Sequence, residues 1–551
     1  MATTKLSITV RAALEKKYPA KALARLDKAI AAWVKADAAR GIQTLHVAVD
    51  SPADMAPFGV KALKKRMTSN KIKRALDALV AATAPEYVVI VGAGDVVPHF
   101  LVPNPSYSAG GDDDELVPTD NPYACSAKFR RSARATYLVP DRVLGRIPDL
   151  PGSSDPAWLV DYLTHAAAWH GRPSSAYTKS PLAVCCATWR GSGVKCVKEL
   201  GAAPGTLQVT PPADKLTPAV KSRHKSRTHL IKCHGQEQDS RFYGEGGGRF
   251  PEVVTSAAIA GRITEGTVVG AMCCYGATVF DPDAPTALTP GVPPVPAVYL
   301  KQGAHGFLGS TTLAWVGDID MLCADWVVTS FLQRATTGAS LGRAALEAKQ
   351  DLLRWLQQQG AAPDGADEKT LLQFMLLGDP SIHPALPAPV IGAPKPAAAR
   401  PVAATMRAMV AGSAGRQARR VMRFELGRVL RAGLLDRRVL TTAVAKAPAA
   451  AVAAVAAAML ERLNARNPHA FAQAPTSAEH LSARGARARP GPVAAGLGAR
   501  MAVGVAPSAP SVFQYSWSVR LGTKGPRRVG LVTVNADAEG RVIGQRMVLS
   551  S

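Results

Sequence analysis

Two short apolar runs, each closed by a reactive side chain beside glycine, constrain this chain more than any other feature. The first is Thr228-His-Leu-Ile-Lys-Cys-His-Gly235. The second, after a Gly-rich insert, is Thr267-Val-Val-Gly-Ala-Met-Cys-Cys-Tyr-Gly-Ala277. Apolar runs of this length bounded by turn residues read as strands buried in a parallel sheet. Open α/β sheets bind ligands just beyond the carboxyl ends of such strands. If the two strands are neighbours, they bring an imidazole, His234, and a thiol, Cys273 or Cys274, to one sheet edge.

That pairing suits thiol chemistry. A free Cys titrates near about 8.5, so a nucleophilic thiolate at neutral pH needs a neighbour to stabilise it. A histidine within reach takes the thiol proton and later protonates the leaving amine. Backbone N–H groups beside Gly235 and around the thiol are candidate oxyanion donors. The plainer reading of each half alone is structural, since cysteine is among the most buried residue types. The specific signal is His-Gly and Cys-Tyr-Gly together, each after a β run.

These motifs resemble those of the caspase-like (clan CD) cysteine peptidases, and within them the gingipain-type family. In that family a His-Gly dipeptide ends one strand, and a small residue, Cys and a nearby Gly end the next. The resemblance extends to Gly303-Ala-His-Gly-Phe-Leu-Gly-Ser-Thr-Thr312 followed by Trp315, and to Leu376-Leu-Gly-Asp-Pro-Ser-Ile382. Upstream it includes Tyr87-Val-Val-Ile-Val-Gly92, Asp120-Asn-Pro-Tyr-Ala124 and Pro140-Asp-Arg-Val-Leu-Gly-Arg-Ile-Pro148. It covers roughly residues 40 to 385. It implies an α/β fold, a caspase-like parallel-sheet sandwich with helices on both faces. It implies a cysteine endopeptidase acting on protein or peptide substrates through a thioester. His234 is then the general acid/base and Gly235 an oxyanion donor. A Cys-x-Gly reading makes Cys274 the nucleophile, and a Cys-x-x-Gly reading makes it Cys273. We favour Cys274 and keep both. Trp315 is a candidate wall of the specificity pocket, with Asp318 and Asp320 as candidate selectors of a basic residue.

The pattern divides the chain into an N-terminal α/β subdomain (1–175) and a catalytic subdomain (176–385). A Pro/Ala-rich linker (386–405), a helical segment (406–466), a low-complexity basic linker (467–511), expected to be largely disordered, and a small β module (512–551) follow. Residues 5–40 read as helical. Thr44–Val49 and Tyr87–Val91 read as strands, with a helix capped by Asn70 between them. No apolar run reaches the ~18 residues of a membrane span. The N-terminus has no secretory signature. All eight cysteines precede residue 385 without disulfide or zinc spacing, so a reducing, cytoplasmic and bacterial setting is expected.

Charge leaves two other functions open. From Leu386 onward there are 24 Lys plus Arg against 6 Asp plus Glu, so 18 of the 25 net positive charges fall there. A basic arm of this kind can serve nucleic acid or another partner, but no nucleic-acid fold motif accompanies it. A solvated Arg-rich surface is the plainer reading. A catalytically inactive scaffold is the other alternative, and the intact His-Gly and Cys-Tyr-Gly pair speaks against it. The C-terminal module is a candidate intramolecular regulator. The acidic loop at 111–115 carries oxygen ligands of the kind Ca²⁺ takes, without EF-hand spacing. A solvated loop is the plainer reading, and a further one is that it lines the cleft and meets a basic side chain. No other cofactor is expected.

Overall fold

The computed structural model describes residues 3–386 except 65–66, 108–111 and 360. Beyond them it describes Ala454, Ala458 and the backbone of five strands at 441–442, 482–486, 512–521, 528–536 and 542–550, with the side chain of Val548.

Ten strands form one sheet. They are β1 (Thr3–Thr9), β2 (Ile42–Ala48), β3 (Tyr87–Val91), β4 (Val143–Ile147), β5 (Leu182–Cys186), β6 (Leu207–Thr210), β7 (Thr228–Lys232), β8 (Val268–Ala271), β9 (Gly306–Gly309) and, after the two-residue β10 (Trp315–Val316) outside this sheet, β11 (Met375–Gly378). The order is β2-β1-β3-β4-β11-β9-β8-β7-β5-β6. Every pairing is parallel except β9 with β11. β11 therefore joins two parallel halves that run in opposite directions. This is the α/β architecture that the resemblance implies.

Helices pack against the sheet. α1 (Ala20–Ala39) lies on β2, α2 (Ser69–Thr83) on β1, α3 (Ala157–Ala168) on α1. α4 (Arg190–Glu199) lies on β5, and α5 (Val295–Lys301) on β9. α6 (Ala324–Thr336) covers β7 and β8, and α7 (Leu341–Gln358) covers β4 and β11. α8 (Gly365–Gln373) opens with a capping box between Asp364 and Asp367, which satisfies two otherwise orphaned N–H groups. No helix among the described residues is long and apolar enough to cross a membrane.

Two local readings are corrected. Residues 3–9 form a strand, not the start of a helix. Lys5, Leu6, Ser7 and Ile8 are all fully buried, so the strand lacks the alternation of a half-exposed one. Lys5 is tolerated there because its ammonium meets Asp37 at 2.5 Å and Asp379 at 2.6 Å and lies 4.2 Å from the Trp33 ring centre. The cap of α2 is Thr68, whose hydroxyl accepts from Lys71 N–H at 3.4 Å; Asn70 lies inside the helix.

The C-terminal third supplies a second sheet. β12 (Thr441–Thr442), β13 (Ser482–Ala486), β14 (Val512–Leu521), β15 (Arg528–Ala536) and β16 (Val542–Ser550) are antiparallel neighbours. β10 pairs with β16 and makes the sixth strand, in the order β10-β16-β15-β14-β13-β12. The three strands expected after residue 512 are present. β13 falls inside the segment read as a structureless linker. Its sequence, Ser-Ala-Arg-Gly-Ala, has little intrinsic preference for a strand, and the edge of β14 imposes the extended form. Within the segment read as helical, 406–466, Thr441–Thr442 are instead extended by pairing with β13, Ala454 and Ala458 are helical, and the rest lies outside the described residues, as does the 386–405 linker after Leu386.

Candidate active site

The site lies past the carboxyl ends of β7 and β8. These strands pair in parallel, with Ile231 opposite Ala271, and Met272 N–H continues the ladder to Ile231 O at 2.7 Å. His234 and Cys274 each follow the paired residue by three positions. The two loops then press together. A Cβ on Gly235 would stand 2.0 Å from Cys274 O, so only glycine permits this approach.

His234 is fully buried and held from several directions. Its backbone exchanges hydrogen bonds with Tyr243, N–H to O at 2.8 Å and O from N–H at 2.9 Å. Its ring lies 4.6 Å from Trp189 and 5.9 Å from Phe250, centre to centre. Its Nε2 lies 3.0 Å from Glu245 Oε2. Glu245 is 6% exposed, its N–H donates to Thr210 O at 3.0 Å, and its carbonyl accepts from Thr188 N–H at 3.3 Å. Glu245 sits in the Gly244–Gly248 stretch of the Gly-rich insert that separates the two apolar runs. The signal was a single carboxylate among glycines between the two β runs. Gly244 lets the loop close in, because a Cβ there would fall 2.0 Å from Thr210 Oγ1.

The two adjacent cysteines face different surroundings. Cys273 is fully buried, its thiol donates to Ile231 O at 3.8 Å, and burial pushes its pKa well up. Cys274 is 3% exposed, and its sulfur accepts from Ala314 N–H at 3.2 Å. Tyr275, next in the chain, has φ of +55°, a left-handed conformation uncommon for an aromatic residue. Its N–H donates to Thr312 O at 3.0 Å, and its hydroxyl to Asp114 Oδ1 at 2.6 Å. Ser310 donates to Cys273 O at 2.7 Å. The loop from β9 to β10 thus braces the thiol turn.

Asp112 and Asp114, from the acidic loop, turn inward. Lys369 Nζ meets Asp112 at 2.8 Å and Asp114 at 3.2 Å. Burial pushes the Asp114 carboxyl up, but Lys369 and the Tyr275 and Leu313 hydrogen bonds hold it below its ordinary value. Its other oxygen accepts from Leu313 N–H at 3.0 Å. The loop thus approaches the thiol turn, and Lys369 of the same chain meets the charge of Asp112 and Asp114.

Trp315 is fully buried, with Nε1 donating to Ser106 Oγ at 3.2 Å. Asp318 and Asp320 follow in the next loop, and the contacts seen there are with α4. Asp318 O accepts from Ser192 N–H at 3.0 Å, next to α4. Asp320 is exposed and pairs with Lys195 on α4. The loop turns this way because Asp325, at the start of α6, accepts from Gly317 N–H at 2.7 Å and Leu322 N–H at 3.1 Å and pairs with buried Lys232. Among the described residues no group of three or more His, Cys, Asp or Glu is placed to hold a metal ion.

Residues 234–385 match the model of Peptidase family C25. The match agrees with the resemblance to the gingipain-type family over this segment. It opens on His234 and takes in both cysteines and β10. A solved structure described as a protease aligns with TM-score 0.47 and 13% identity, covering 70% of this chain and 79% of that one. No curated protein matches the chain.

Proposed function

We propose that the chain is a cysteine endopeptidase in which Cys274 is the nucleophile and His234 the general acid/base. The observation that carries this reading is the equal register of the two residues past the Ile231–Ala271 pair, inside the segment that matches C25. With His234 Nε2–H donated to Glu245, Nδ1 is the ring nitrogen that takes the thiol proton. The carboxylate opposite Nε2 stabilises the imidazolium that results, as a positioning residue. The Ala314 N–H directed at the sulfur favours thiolate. Cys273 is the weaker candidate, since a fully buried thiol with a raised pKa stays protonated.

The thiolate adds to the scissile carbonyl carbon, and the oxyanion is held by backbone N–H, with Gly235 the proposed donor. The C–N bond breaks as the imidazolium passes its proton to the amine. Water, deprotonated by the same imidazole, then cleaves the thioester and releases the acid and the thiol. The setting proposed for this chemistry is reducing and cytoplasmic, on the cysteine spacing of the sequence.

A peptide-library digest of wild type, Cys274→Ala, Cys273→Ala and His234→Ala tests the assignment. Turnover is expected to vanish in the first and third and persist in the second. Full turnover in Cys274→Ala would overturn it.

A further inference from the structure

We infer that the C-terminal strand β16 occupies the edge on which an extended peptide substrate docks, so that wild type turns over only in the fraction of molecules in which this strand is displaced. The inference rests on the peptidase reading, and it starts from where β10 lies. Ala314, immediately before β10, donates its N–H to Cys274 Sγ at 3.2 Å. β10 is therefore the strand edge adjoining the sulfur. A peptide whose scissile carbonyl reaches that sulfur in extended form finds its backbone partners there. Strand addition of this kind gives main-chain affinity, with pockets reading alternate side chains.

Both edges of β10 are already paired. On one side Val316 bridges Cys323. On the other, Trp315 pairs with Ser550 and Val316 with Leu549, antiparallel. Moving from Leu549 to Ser550, β16 passes from Val316 to Trp315, which is toward the sulfur. It thus runs in the direction that a substrate takes on the acyl side of its scissile bond. β16 is also an interior strand of its sheet, because Leu549 pairs with Gly530 of β15 as well as with Val316. Val548 is 1% exposed and belongs to the same buried cluster as Trp315. An incoming peptide must displace this strand to reach β10.

The test uses the full chain with Val548→Asp, which places a charge in the buried cluster, and separately Leu549→Pro, which removes an N–H from the strand. Hydrogen exchange at the Trp315 and Val316 amides reports displacement. Alkylation of Cys274 by a peptidyl acyloxymethyl ketone reports access. Both variants are expected to exchange faster at those amides and to label at least about tenfold faster than wild type, a factor that corresponds to ~1.4 kcal/mol. A synthetic peptide of the 542–551 sequence should slow labelling of the variants again. Faster exchange with unchanged labelling would overturn the inference. Unchanged exchange in both variants would also overturn it, since the strand would then be a fixed part of the fold. Faster labelling without hydrolysis of any peptide would uphold the occlusion and sink the peptidase reading instead.

Discussion

Glu245→Gln is the substitution whose effect the geometry specifies most closely. Glutamine keeps the shape and an acceptor oxygen but removes the charge opposite His234 Nε2. The contact is 3.0 Å, between a fully buried imidazole and a side chain 8% exposed. A hydrogen bond to a charged group contributes ~1.5–3 kcal/mol. About 1.36 kcal/mol is tenfold in rate, so kcat/KM is expected to fall about ten- to a hundredfold. The loss should lie in kcat, because Glu245 touches the base and not the substrate. The pH profile separates this role from a merely structural one. Without the carboxylate the imidazolium is less stable, so alkylation of Cys274 should require higher pH. The assay is hydrolysis of a fluorogenic peptide beside alkylation rate against pH, with wild type in parallel. A folded variant with kcat within about twofold of wild type and an unmoved alkylation profile would refute the reasoning, since even the weakest such bond predicts more.

Three further outcomes follow from the structure. Lys5→Met strips the partner from Asp37 and Asp379 and should destabilise the fold by ~3–5 kcal/mol, measured by urea unfolding; a change below about 0.5 kcal/mol, ordinary for a surface site, would contradict the buried triad. Burial pulls His229 from 6.5 down to about 3, so it folds neutral while the unfolded chain takes up a proton below 6.5. Its contribution is complete above 6.5 and is lost as pH falls toward about 3, and His229→Gln should make stability less steep across that window; an unchanged slope in denaturant titrations would contradict it. Tyr275→Phe removes the 2.6 Å bond to the Asp114 carboxylate, a bond to a charged group of the ~1.5–3 kcal/mol kind, and should lower kcat several-fold to at most about a hundredfold; kcat within about twofold of wild type in a peptide assay would contradict a role for that bond in holding the left-handed turn.

The legible part of the molecule was local. β7 and β8 are short apolar runs with turn residues behind them. His234 and Cys274 stood out because each closes such a run. What escaped depends on partners far away in the chain. β1 is disguised by a lysine whose counter-ion, Asp379, comes 374 residues later. Glu245 is one acid in a glycine loop until that loop folds back on β6. That Asp325 holds the loop of Asp318 and Asp320 beside α4 depends on a buried pair with Lys232, 93 residues away. The C-terminal module was visible as strands, but nothing in its alternation shows that its last strand pairs with β10 beside the thiol.

The most direct measurement of the central claim is the site of covalent modification. The full chain is treated to completion with a peptidyl acyloxymethyl ketone, digested and mapped by mass spectrometry. The expected result is one adduct, on Cys274, formed at least about a hundredfold more slowly in His234→Ala, the scale of a general-base contribution. An adduct on Cys273, or equal labelling with and without His234, would contradict the account.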